Sequence, residues 1–184
     1  DALRLGPVGF RCAAPVWYRD LAREGLDRFK FRGMSSAATP LGELIAECAA
    51  EHFAGEFDTV TWVPVSSRRL RQRGYDQARL LAESACRLWD TTPVPLLCKT
   101  VHNPAQSGLR ESAARRANVL GVYAPASPEQ TAGKRILLVD DICTTGATLM
   151  ECARVLREAG AEDVICAAVA LTPLEKGTGG PKNA

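Results

Sequence analysis

Two stretches of this chain are apolar at successive positions rather than at alternate ones: "RILLVD" at 135–140 and "DVICAAVALT" at 163–172. A strand with one wet face alternates apolar and polar residues, because its side chains point to opposite faces in turn. Successive apolar residues need cover on both faces, as in a parallel sheet flanked by helices. The segment between the two runs has the pattern to supply it. Leu149, Ala153 and Leu156 recur at helical spacing, and Gly160 is well placed to end that helix.

Further strand-like runs, "TVTWVPV" (59–65) and "VPLLCK" (94–99), lie upstream among three more helical patterns. One face joins Tyr18, Leu21, Ala22, Leu26 and Phe29, and a second joins Leu41, Leu44, Ile45, Cys48 and Ala49. A third joins Ala78, Leu81, Ala82, Ala85, Leu88 and Trp89. Strands alternating with helices of this length predict an α/β fold, in which ligands sit beyond the carboxyl ends of the strands. Three chemically unusual segments follow predicted strand ends, at 64–74, 99–111 and 140–148.

Composition narrows the class. With 46% apolar and 24% charged residues over 184 positions, the chain reads as one ordinary soluble domain with a substantial core. No apolar run approaches the ~20 residues that span a bilayer, and no basic-then-apolar leader is present. The start on Asp1 rather than Met suggests that an upstream segment is missing. A net charge of +2 is too small to imply nucleic acid, although "SSRRLRQRG" gathers Arg68, Arg69, Arg71 and Arg73. The seven cysteines stand singly, with no CxxC, which suits neither a disulfide framework nor a zinc site. Reduced thiols in a cytoplasmic protein are expected, several of them as small core residues. The tail "EKGTGGPKNA", from Glu175, reads as a flexible end.

The densest chemistry is in "ILLVDDICTTGAT", residues 136–148. A lone Asp or Thr there would cap a turn or a helix. Together the residues point to an anion. Thr144, Thr145, Gly146, Ala147 and Thr148, entering a helix, offer backbone N–H groups at the positive end of its dipole. Their small side chains allow close approach of a phosphate. Asp140 and Asp141, just before that loop, can accept hydrogen bonds from ribose hydroxyls or help hold Mg²⁺. Phosphate on one side and sugar hydroxyls on the other describe a phosphorylated ribose.

Four hydrophobics, two acids, two hydrophobics and T-T-G-A-T resemble the thirteen-residue signature of type I phosphoribosyltransferases. The resemblance implies that fold: a parallel sheet flanked by helices, with a small N-terminal hood. It also implies that Asp140 and Asp141 contact the ribose of phosphoribosyl pyrophosphate (PRPP) and its Mg²⁺, while residues 144–148 cradle the 5′-phosphate. The blocks "LDRFKFRG", "WVPVSSRRLRQRGYDQARLLA" and "NPAQSGLRESAARRANVLGVY" are similar to those of ComF-type (ComF/GntX) proteins, and the likeness runs from about residue 18 to 172. Three departures stand out. Cys143 replaces a bulkier aliphatic and is expected to pack, Asp76 stands where the family usually has Asn, and the family's frequent amino-terminal four-cysteine zinc module is not present. The expected division is a hood over 1–57, a core over 58–173 and a tail over 174–184.

The remaining blocks follow from the same resemblance. Ser66, Ser67, Arg68 and Arg69 would form the loop that stabilises charge on the departing pyrophosphate; otherwise they make a solvated basic turn. Lys99, Gln106, Arg110 and Arg115 would belong to a flexible lid closing over PRPP, or to a surface loop containing Asn103, Pro104, Ser107 and Gly108. Lys30, Arg32 and Gly33 line an acceptor or nucleic-acid site or simply end a helix. Gln106 and Asn118 match family positions, and turn or capping roles explain them as well. His52 and His102 have no partner visible in the sequence.

Three functions fit these residues. One is Mg²⁺-dependent transfer of a phosphoribosyl group from PRPP to an unknown acceptor, an activity of nucleotide metabolism. Another is a PRPP-sensing module for competence that binds single-stranded DNA or competence proteins. The last is a generic nucleotide-binding domain.

Overall fold

A computed structural model of the chain describes residues 2–6, 9–31, 35–100 and 119–173. Its main sheet has the order β1–β2–β8–β7–β4, formed by β1 (Ala2–Leu5), β2 (Arg11–Ala14), β4 (Thr59–Trp62), β7 (Arg135–Cys143) and β8 (Asp163–Leu171). β1 and β2 make an antiparallel hairpin, and every other pairing in this sheet is parallel. β3 (Val16–Trp17) also pairs with β8, four residues further along than β2 does. Pro15, which has no N–H to offer the ladder, separates the two segments. β5 (Leu97–Lys99) and β6 (Tyr123–Pro125) form a separate antiparallel ribbon.

The apolar runs of β7 and β8 are covered on both sides, as their pattern demands. Ile136, Leu138, Val164 and Cys166 pack with Leu149, Cys152 and Leu156 of α6 (Ala147–Glu158) and with Leu96, Leu97 and Tyr123 around the ribbon. Leu137, Val139, Ile165 and Ala167 face three other helices: α1 (Asp20–Phe31), α2 (Ala38–Phe53) and α4 (Gln77–Leu88). α3 (Ser67–Arg73) and α5 (Pro128–Thr131) are short and lie outside both clusters.

The four helical patterns each correspond to a helix, but the apolar faces of the first three are narrower than the spacing predicts. Leu21, Leu44 and Leu88 are 83%, 40% and 55% exposed, while Leu26, Ile45 and Leu81 are buried. Strand bounds also shift. The 59–65 strand ends at Trp62, because Pro64 follows after a single further ladder bond from Val63 N–H to Val139 O (2.9 Å). Only 97–99 of the 94–99 run is strand; its front hangs on β4, where Val94 N–H donates to Val60 O (2.8 Å) and the Thr61 hydroxyl to Val94 O (2.8 Å). β7 runs three residues beyond the predicted 135–140, so the acidic pair lies inside the strand rather than past its end. The N-terminal hairpin, β3, β6, α3 and α5 carry no periodicity long enough to read.

α2 and α4 approach closely at Gly42. A Cβ there would stand 2.4 Å from Ser84 Cβ and 2.8 Å from the Leu81 carbonyl oxygen, so backbone would have to move. Gly42→Ala is expected to destabilise the fold by about 1–3 kcal/mol. Urea denaturation reads this as a lower midpoint at unchanged slope.

Candidate functional site

A cavity of about 380 Å³ opens at the carboxyl edge of β7 and β4. Asp140 and Asp141 both line it, although neighbours on a regular strand point to opposite faces. The resolution is a slip in alternation. Val139 and Ile142 pack on the helix-rich side, and Cys143 returns to the other. β8 slips at the same level, where Val169 and Ala170 share a face before Leu171 returns. One oxygen of each acid is anchored by the next amide: Asp141 N–H donates to Asp140 Oδ1 (2.8 Å), and Ile142 N–H to Asp141 Oδ1 (2.7 Å).

Past β7 the chain turns into α6 through Gly146, whose φ of 80° is left-handed and suits glycine. The ring of buried Phe10 lies beneath it, 3.3 Å from where a Cβ would sit. The Thr145 hydroxyl accepts from Ala147 N–H at 3.3 Å, and Thr144 and Thr148 line the cavity. Thr145, Gly146 and Ala147 are not among the lining residues but belong to the same turn. Cys143 is buried, in keeping with packing.

The segment holding Ser66, Ser67, Arg68 and Arg69 is not an open turn. It is the start of α3, a helix of seven residues stopped at both ends: Ser66 accepts from Arg69 N–H (3.3 Å), and left-handed Gly74 donates to Leu70 O (2.8 Å). Helical spacing separates the four residues. Arg69 lines the cavity, Ser66 is the buried cap, and Ser67 and Arg68 are exposed outside it. Arg73, one turn further, joins Arg69 and donates to Gln77 Oε1 at 3.1 Å. Lys99, grouped with the lid from sequence, ends β5 and lines the same cavity, with its ammonium 3.4 Å from the Tyr123 hydroxyl. Burial, reinforced by Arg69, pushes the Lys99 ammonium and the Arg73 guanidinium below their ordinary values. Burial likewise pushes the Tyr123 hydroxyl up.

Tyr18 and Asp27, joined at 2.9 Å, contribute the α1 side of the cavity. Neither they nor Gln77 and Tyr123 carry a local sequence signal, whereas Arg73 belongs to the basic run that the sequence shows at 68–73. Tyr18, Asp27 and Gln77 are recruited by topology, since β3 and β4 deliver their following residues to either side of the β8–β7 edge. Gln106, Arg110 and Arg115 lie outside the described residues, as do Asn103, Pro104, Ser107, Gly108, Asn118, His102, Arg32, Gly33 and the tail. Lys30 falls in the last turn of α1. His52 falls in the last turn of α2, where its Nε2 is buried and has no partner among the described residues.

Magnesium fits the donor set, because two adjacent carboxylates supply hard oxygen ligands. Among the described residues no group of three or more His, Cys, Asp or Glu could hold a metal alone. No helix among the described residues is long and apolar enough to cross a membrane.

A neighbouring groove of about 510 Å³ shares Pro64, Val65 and Lys99 with the cavity and includes Trp62, Arg79 and Asp76. Asp76 caps α4, accepting from Arg79 N–H (3.2 Å) and also from Val65 N–H (3.1 Å). The Trp62 indole donates to it too, yet burial outweighs these bonds and raises its pKa.

Residues 73–181 match the model of the phosphoribosyl transferase domain family. The competence protein ComFC of Bacillus subtilis (strain 168) is 32% identical over 143 residues, 78% of this chain and 56% of that protein. Competence protein F of Haemophilus influenzae is 31% identical over 145 residues, 76% of this chain and 63% of its own length. This chain therefore spans under two thirds of either relative. Among solved structures, a glutamine phosphoribosylpyrophosphate (PRPP) amidotransferase from B. subtilis, complexed with ADP and GMP, is 27% identical. That match covers 73% of this chain and 26% of the other, at a TM-score of 0.47.

Asp76 gives this region a pH signature. A carboxyl group whose folded-state pKa is raised contributes stability at low pH that is lost as pH rises through that pKa. Relative to Asp76→Asn, the wild type is expected to lose stability as pH climbs past 3.8, the ordinary aspartate value, and through the folded value above it. Denaturation midpoints of both proteins across a pH series would show the gap moving in favour of Asn.

Proposed function

Since this chain belongs to the phosphoribosyl transferase domain family, and within it to the ComF type, we propose that its cavity binds PRPP and transfers the phosphoribosyl group to an acceptor. The observation that carries the proposal is the meeting, in one cavity, of Asp140 and Asp141 with the 144–148 turn and with Arg69, Arg73 and Lys99. That combination matches PRPP part by part. The turn at the α6 N-terminus takes the 5′-phosphate through its amides and hydroxyls. The carboxylates accept from the ribose hydroxyls. Arg69, Arg73 and Lys99 take the pyrophosphate, and of the other three predicted loop residues Ser66 caps α3 while Ser67 and Arg68 stay outside the cavity.

In the reaction, the C1–oxygen bond of the ribose breaks and its electron pair leaves with pyrophosphate. The acceptor's lone pair forms the new bond, and its proton passes to solvent. Cations facing the departing oxygens stabilise the charge that develops there. Asp140 and Asp141 would hold Mg²⁺, which would add to that neutralisation. Gln106, Arg110 and Arg115 complete the proposal as cover that excludes water.

The competence proteins among the relatives support a second reading, in which the same pocket senses PRPP in a protein that serves DNA uptake. On that reading PRPP binds without being consumed, and single-stranded DNA or a competence protein is the partner.

Calorimetry with PRPP and Mg²⁺ tests the shared premise. The wild type is expected to bind, and Asp140→Asn/Asp141→Asn to bind roughly tenfold more weakly or worse. Equal affinity would sink the assignment. PRPP consumption above blank with candidate bases or amines then separates transfer from sensing.

Lys99 supplies an independent readout. Its ammonium is held down by burial and Arg69, and a bound pyrophosphate would restore it. PRPP binding at alkaline pH is thus expected to take up protons, measured as a heat that depends on buffer ionisation enthalpy. Lys99→Met is expected to reduce that uptake.

A further inference from the structure

Arg4 is only 8% exposed, on a strand whose alternation turns Ala2 and Arg4 inward and Leu3 and Leu5 outward. An inward position of an edge strand normally carries an apolar side chain, and a buried guanidinium is costly unless fully hydrogen-bonded. Its partners among the described residues are backbone carbonyls and a thiol. Nη1 donates to the Thr144 carbonyl and approaches Cys143 Sγ at 3.5 Å, and Nη2 donates to the Thr172 carbonyl. Thr172 N–H in turn donates to Cys143 O at 3.0 Å, so the ends of β7 and β8 are tied twice.

We infer that Arg4 is a positioning residue for the phosphate turn, locking the Thr144–Thr145 peptide so that its N–H is presented to a bound phosphate. A trans peptide is planar, with its C=O and N–H pointing in opposite directions. Holding the Thr144 carbonyl on the Arg4 side therefore directs the Thr145 N–H away from Arg4, which does not itself line the cavity. A flip of this peptide would turn a carbonyl toward the anion in place of a donor, and repulsion would replace attraction. The planar fork of Arg reaches two carbonyls on neighbouring strands at once, a geometry that the single ammonium of Lys reproduces poorly. Phe10, from the same hairpin, backs Gly146 and limits how far the turn can sink.

The phosphate role rests on the PRPP reading, whereas the lock on the peptide does not, and two measurements keep them apart. Hydrogen exchange on ligand-free Arg4→Met and Arg4→Lys is expected to show amides 144–148 exchanging at least tenfold faster. Amides in the centre of β7 and β8, such as 137–139 and 164–167, should keep wild-type protection. Calorimetry with PRPP and Mg²⁺ is expected to show about tenfold weaker binding for Arg4→Met, with Arg4→Lys between it and the wild type. Unchanged exchange at 144–148 in both variants overturns the inference, as does equal acceleration throughout the sheet. If Arg4→Met fails to fold, Arg4→Lys decides. A wild type that ignores PRPP sinks the PRPP reading, and loop exchange still judges Arg4.

Discussion

Adjacent residues of a strand face opposite ways, so two neighbouring carboxylates meet one ligand only where the alternation fails. Here it fails at 140–142 of β7, level with the same failure at 169–170 of β8. Because both strands slip together, their ladder persists, with Ile142 opposite Ala170 and Cys143 opposite Leu171. The slip brings both acids to one cavity and returns Cys143 to the face from which Arg4 reaches it. It also aims the chain at Gly146, where α6 starts. A regular strand of the same sequence would turn one acid into a helix-packed core, a costly place for an unpaired charge.

The same cavity gathers three cations beside the two carboxylates. Arg69 and Arg73 come from one face of α3, and Lys99 from the ribbon. Burial and mutual repulsion work against the charged forms of Arg73 and Lys99. Seven residues are too few for a helix to persist on propensity alone. The position of both arginines therefore depends on the Ser66 cap, the Gly74 stop and the tie from Arg73 to Gln77 at the head of α4.

What could be read from the sequence followed from patterns that survive without tertiary context. Apolar residues at successive positions of β7 and β8 announced a doubly covered sheet, and the two acids and the Thr/Gly turn after them stand together at its carboxyl edge. α3 was missed because "SRRLRQR" has a single apolar residue and no period; its helix comes from its caps. Tyr18 and Asp27 were missed because they reach the cavity through sheet order, and Tyr123 because it stands on the separate ribbon; Arg73 could be read only as one of a basic run. The inward Arg4 left a trace in the alternation of "ALRL", but four residues are too short to distinguish an edge strand from a loop.

Sheet order also joins the site to the front of the chain. β8 has β7 on one side and β2 and β3 on the other, so residues 11–17 cover an edge that would otherwise present unpaired backbone groups. β1, the outer strand of the hairpin, carries Arg4 to the carbonyls of Thr144 and Thr172. Edge protection and the contacts to the turn thus both come from the N-terminal segment 2–17. The turn lies far from the hairpin in sequence, yet the described donors to both carbonyls come from the one guanidinium of Arg4. The hairpin is therefore part of the turn's construction, even though it contributes no side chain to the cavity lining.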